Sequence, residues 1–148
     1  MKMKKCKSIK RLLYLLCFIL LISGCGCSND EENDDKTFYL DIKNDTEVTI
    51  YGFHYEYLLN GEAIGGGVIS NADGSVMEKG EISTKEFHIS DFPENADIAQ
   101  FQIYFYVIYK DQSEDEVKNL VKINAQYKKH YTIIISGEGK DHFYAQYQ

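Results

Sequence analysis

From residue 37 to residue 148 the sequence predicts an all-β fold, an antiparallel β-sandwich of immunoglobulin-like or transthyretin-like type. Three observations carry that expectation. From residue 25 onward, 13 Ile, 6 Val and 5 Thr stand against 4 Leu and 6 Ala, and 11 Tyr and 7 Phe add to the strand-forming side. Apolar residues recur at every second position in most segments, the period of a strand and not of a helix. Turn signals break the chain every 8–15 residues or so, with no helical interlude, which implies about seven to nine strands.

The elements follow in chain order. Phe38, Leu40 and Ile42 share one face of a first strand, and Asn44-Asp45 reads as the turn after it. In a long second strand over 48–59, Tyr51, Phe53, Tyr55, Tyr57 and Leu59 alternate with Ile50, Gly52, His54, Glu56 and Leu58. Asn60-Gly61 supplies the positive φ angles of a type I′ turn, so 48–59 and 62–69 form a hairpin. Gly65-Gly66-Gly67 falls inside the returning strand. There it implies a bulge, a bend at an edge, or close approach of another backbone. It is neither GxGxxG nor a P-loop, so it is not read as a phosphate cradle.

Asn71 to Ser75 is a loop. Ile82 to Ile89 is a strand, and the only proline closes a turn at Asp91-Phe92-Pro93-Glu94. Phe101 to Tyr109 has one wholly apolar or aromatic face (Phe101, Ile103, Phe105, Val107, Tyr109), which makes it a central strand. Lys110 to Glu116 reads as a charged loop. Val117, Asn119, Val121, Ile123 and Ala125 alternate after it, although Glu114 to Leu120 also fits a short helix. Tyr131 to Ser136 and a short Phe143 to Tyr147 complete the set.

Candidate chemistry is sparse. His54, His88, His130 and His142 form no HxH, HExxH or Cys/His pattern, and no GxSxG motif is present. Asn71-Ala72-Asp73-Gly74-Ser75 resembles the opening of a calcium loop, but its twelfth position is Ile82 and no helices flank it. No metal or other cofactor is therefore expected. Glu56, inside the aromatic second strand, lacks a partner acid for glycosidase-type chemistry. The tyrosines remain. Tyr55, Tyr57, Tyr104 and Tyr106 are the candidate ligand-binding residues, because a Tyr ring offers contact area at low entropy cost together with a hydroxyl for bonding. The same residues also suit the margins of a sandwich core.

The N-terminus carries an address. A basic stretch (Met1 to Arg11) precedes an apolar run (Leu12 to Ile22) of about 16 Å as a helix, well short of the ~30 Å hydrocarbon core, and Ser23-Gly24 follows. That pattern is a signal peptide over 1–24. Leu21-Ile22-Ser23-Gly24-Cys25 closely resembles the lipobox of bacterial lipoproteins. The resemblance implies cleavage before Cys25, diacylglycerol on its sulfur, and a cell-membrane or outer-membrane location, extracytoplasmic and held by lipid. Cys17 and Cys27 do not fit the pattern. Beyond Cys27 the chain has no cysteine, which excludes a disulfide-stapled or zinc-ribbon fold. Residues 25–36 form an acidic tether with five acids between Ser28 and Lys36, too polar to fold. The tract is similar to the acidic surface-export signal of some diderm lipoproteins.

Charge narrows the function. The whole chain sums to -7, but residues 1–24 hold six of the 16 basic residues and no acid. What remains carries 10 basic and 23 acidic side chains, a net charge of -13. Binding to nucleic acid through phosphate contacts is excluded by that balance. The expected function is a non-enzymatic binding or interaction module at the cell envelope, with a protein or glycan ligand and membrane contact through Cys25. The alternatives are an envelope hydrolase using carboxylates and a structural or accessory lipoprotein without a ligand.

Overall fold

The computed structural model describes residues 36–148. The expected signal peptide, Cys25 and the tether up to Asp35 lie outside the described residues. Among the described residues, nine strands build two packed sheets: β1 (Thr37–Thr46), β2 (Gly52–Leu59), β3 (Glu62–Ser70), β4 (Ile82–His88), β5 (Phe101–Ile108), β6 (Glu114–Glu116), β7 (Val121–Ile123), β8 (His130–Gly137) and β9 (Tyr144–Tyr147). One sheet runs β4-β1-β8-β9. The other runs β3-β2-β5-β6, with β7 also on β5. The all-β sandwich is thus observed. Two 3₁₀ turns, Ile89–Asp91 and Ile98–Gln100, bracket the segment that carries Pro93.

Alternating apolar residues meet between the sheets. Phe38, Leu40, Ile42, Ile133 and Ile135 from one sheet and Phe53, Phe101, Ile103, Phe105 and Val107 from the other are all at most 1% exposed. An aromatic cluster closes the end at which β1 begins. Phe38 stacks on Phe87 at 5.1 Å and meets Phe101 edge-on at 5.3 Å, with Phe92 and Tyr57 packed beside them. Among the described residues, every buried apolar residue lies between Phe38 and Ala145. The described segment thus holds one continuous cluster of buried apolar residues drawn from both sheets.

Three expectations need correction. β1 does not turn at Asn44-Asp45 but continues to Thr46, because the Asn44 side chain is buried and bonded. Its amide donates to the carbonyls of Met77 (2.8 Å) and Glu78 (3.2 Å), and its oxygen accepts from the Thr46 N–H (3.0 Å) and hydroxyl (2.8 Å). Within the expected sandwich, whose sheets are dominated by antiparallel pairs, β1 and β8 pair in parallel. Both strands enter their sheet from the same end, β1 at Thr37 and β8 just after Lys129, whose carbonyl accepts from the Tyr39 N–H at 2.9 Å. The expected charged loop over 110–116 ends in a strand, β6, whose three acidic residues pair with Tyr106 to Ile108. Finally, the stretch 117–125 is neither a helix nor one strand. Only Val121–Ile123 pairs as a ladder, while Asn119 reaches across to bond both the N–H and the carbonyl of Ala145 (2.8 and 2.7 Å).

The glycine run resolves into two of its three expected roles. Pairing slips between Tyr57–Gly65 and Leu58–Ala63, so Ile64 is the extra residue of a bulge. Close approach supplies the other role. A Cβ on Gly65 would collide with the Tyr57 ring, one on Gly67 would sit 2.8 Å from the Tyr55 hydroxyl, and one on Gly66 would sit 2.5 Å from the Tyr55 carbonyl oxygen. Tyr55 and Tyr57 thus lie over the bare backbone of β3, where rings cover glycine on a neighbouring strand.

Candidate functional site

The four candidate tyrosines divide between two faces. Phe53, Tyr55 and Tyr57 alternate toward the opposite sheet. Tyr55 is 5% exposed, and Tyr57 lies among Phe87, Phe92 and Phe101 with centroids 5.2–6.1 Å away. Burial raises the pKa of both hydroxyls, and Asp91 adds to the effect. Tyr55 is closed to a ligand. Tyr104 and Tyr106 instead occupy the solvent side of β5, each half-buried.

Cross-strand register assembles the outer face of this sheet. One row runs Val68, His54, Tyr106, Glu116 across β3, β2, β5 and β6; the next runs Gly66, Glu56, Tyr104. His54 stacks on Tyr106 at 5.2 Å and 25°. Its Nδ1 lies 3.1 Å from Glu114 Oε2, so the imidazole is held between a ring and a carboxylate. Burial raises the Tyr106 pKa, and the charges of Glu56, Glu116 and Glu114 push it the same way. The result is a row of half-buried rings rimmed by carboxylates. Such a surface suits stacking against a sugar or packing against a protein side chain.

The other candidates sit apart from it. His130 stacks on Tyr39 at 4.4 Å on the outer face of the four-stranded sheet, with Nδ1 3.8 Å from Asp41. His88 Nδ1 lies 2.9 Å from the Thr37 hydroxyl and its Nε2 3.5 Å from Glu86. His142 lines a polar depression with Asp45, Glu47 and Glu138. In the loop that resembles a calcium site, Asp73 accepts from the Ser75 N–H at 2.9 Å, and the Ser75 bonds lower its pKa; Asn71 donates to the Val76 carbonyl at 2.9 Å. Its oxygen-bearing side chains are thus used within the turn. Among the described residues no group of three or more His, Cys, Asp or Glu is placed to hold a metal.

Sequence reasoning found Tyr104 and Tyr106 but missed His54 and Glu114 as their neighbours. His54 and Glu114 are 60 residues apart, and the contact exists only because β6 pairs with β5.

No protein-family model matches the chain, and no curated protein matches it in sequence. Among solved structures it is similar to a disulfide-locked mutant of intermedilysin with human CD59, at 11% identity and a TM-score of 0.39, over 76% of this chain and 24% of that one. The chain spans about a quarter of that protein's length. It is also similar to a protein from Eubacterium rectale solved by NMR (9% identity, TM-score 0.39, 82% and 94% of the two chains). A third is the membrane-binding domain of pneumolysin (10%, 0.34, 76% and 95%). Similarity at that level carries no functional information.

Proposed function

We propose that the chain is a membrane-anchored extracytoplasmic lipoprotein whose sandwich is a non-enzymatic binding module at the cell envelope, taking a protein or glycan ligand. The observation that carries the binding reading is the outer-face pair Tyr104 and Tyr106, with His54 stacked on the second ring. These rings lie on the solvent side of a central strand, where the core does not require them. The anchor reading rests on the run from Leu21 to Cys25.

The test uses residues 28–148 and the double variant Tyr104→Ala/Tyr106→Ala on glycan and peptide arrays. A reproducible ligand should appear, and the double variant should weaken it by about tenfold or more, the usual effect of removing aromatic anchors. No reproducible ligand, or one that the double variant binds unchanged, would sink the proposal.

A further inference from the structure

Among the described residues, β3 is the outer strand of the five-stranded sheet and pairs with β2 alone. Every second N–H and C=O of such a strand points away from its neighbour, ready to pair with another chain. Folded proteins blunt such edges with charge, proline or short strands. The remaining edges here are blunted: β4 carries Lys85 and Glu86, β6 is three acids long, β7 spans three residues and β9 four. β3 has none of this protection beyond the bulge near its start. It runs nine residues with Glu62 as its single charge and no proline, and its Val68 is 61% exposed.

Behind that edge the outer face is bare and acidic. Gly66 offers no side chain, so a depression of about 430 Å³ opens between the edge and Glu56, lined by His54, Glu56, Ala63, Ile64, Gly65 and Gly66. Tyr104 stands on the far side of Glu56, and Glu114 and Glu116 lie beyond. The nearest cation by register on this face is Lys122, one row away beside Gln102.

The geometry points to strand addition: the β3 edge takes an extended basic peptide as a further strand, with a Lys or Arg opposite Gly66. The stem of that residue crosses the bare glycine, and its cation meets Glu56 and the Tyr104 ring. A second copy of the chain is the poorer occupant. β3 contains no Lys or Arg in any register, and pairing two copies brings together two domains of 18 acids and 9 bases each. The inference rests on the binding-module reading and narrows it to a partner class.

The probe is a nine-residue peptide of alternating threonine and valine with a central arginine, titrated into ¹⁵N-labelled residues 28–148. Saturable shifts should concentrate on the amides of residues 62–70. Methylating the peptide nitrogens that face β3 should abolish binding, whereas methylating the alternate set should leave it within about twofold, because only one set enters the ladder. A central glutamate should weaken binding by about tenfold or more. Glu56→Gln should weaken the arginine peptide by about two- to fivefold with an unchanged melt. The inference is overturned if saturable binding is absent, if both methylated peptides bind alike, or if β3 amides broaden with protein concentration before any peptide is added. A ligand found on Tyr104 and Tyr106 that leaves the β3 amides unmoved would remove this inference and leave the binding module standing.

Discussion

Asn44 shows how one side chain can override its own propensity. Asn-Asp reads as a turn because Asn bonds readily to nearby backbone, and Asn44 does bond locally, to Thr46. Its amide, however, also holds the carbonyls of Met77 and Glu78, more than 30 residues away, and no local pattern announces that. Asn44→Ala should cost about 1–3 kcal/mol in a urea melt, because it strands the buried Met77 carbonyl and the Thr46 N–H; a loss of under half a kcal/mol would show these bonds to be dispensable. Tyr109 sets a second test. Burial, and then a 2.9 Å bond to Asp115, raise its pKa from 10.0 to about 12. The unfolded chain therefore ionises first, and the stability Tyr109 contributes is complete below pH 10 and lost as pH rises toward 12. Tyr55, Tyr57, Tyr106 and Tyr127 are shifted in the same direction. Urea midpoints should fall between pH 10 and 12, and less steeply in Tyr109→Phe; an identical slope in the variant would exclude this role.

Among the elements, legibility followed hydrophobic alternation. β2, β5 and β8 declare themselves because one face is apolar at every second residue, and the Asn60-Gly61 turn, with φ of 52° and 85°, fixes the hairpin between β2 and β3. β6 is invisible by the same criterion. Glu114-Asp115-Glu116 has no apolar face, and it becomes a strand only through pairing with Tyr106 to Ile108. That is also why the candidate site was only half legible: Tyr104 and Tyr106 stand out in sequence, but the contact of His54 with Glu114 depends on β6. The glycine run belongs to this scale as well, since its meaning lies in β2. Gly66→Ala would press a Cβ against the Tyr55 carbonyl, a backbone atom that cannot swing aside. The variant should lose about 1–3 kcal/mol by overpacking. Chemical denaturation checks this, and a change within about 0.5 kcal/mol would mean that β3 shifts freely at its edge.

At the scale of the whole molecule, composition foretold two packed sheets, because β-branched and aromatic residues in short alternating runs have few other ways to bury their faces. The order of strands was not foretold. β1 beside β8 in parallel depends on which end of the sandwich each strand enters, a property of the path and not of either strand's residues. Charge bears on the anchor at the same scale. After the expected cleavage the chain carries 10 basic against 23 acidic side chains, and an anionic leaflet repels such a body. On the proposed lipoprotein reading, attachment to a membrane comes from acyl chains at Cys25, each buried CH₂ contributing about 0.8 kcal/mol. Cys25→Ala should move the protein from the membrane to the soluble fraction at low and high salt alike and abolish acyl labelling. The melt of the sandwich should stay unchanged, because the core of the described residues runs from Phe38 to Ala145. Acyl label that persists in Cys25→Ala would refute the assignment of the anchor to that residue, and membrane retention reversed by salt would place the contact on the fold instead.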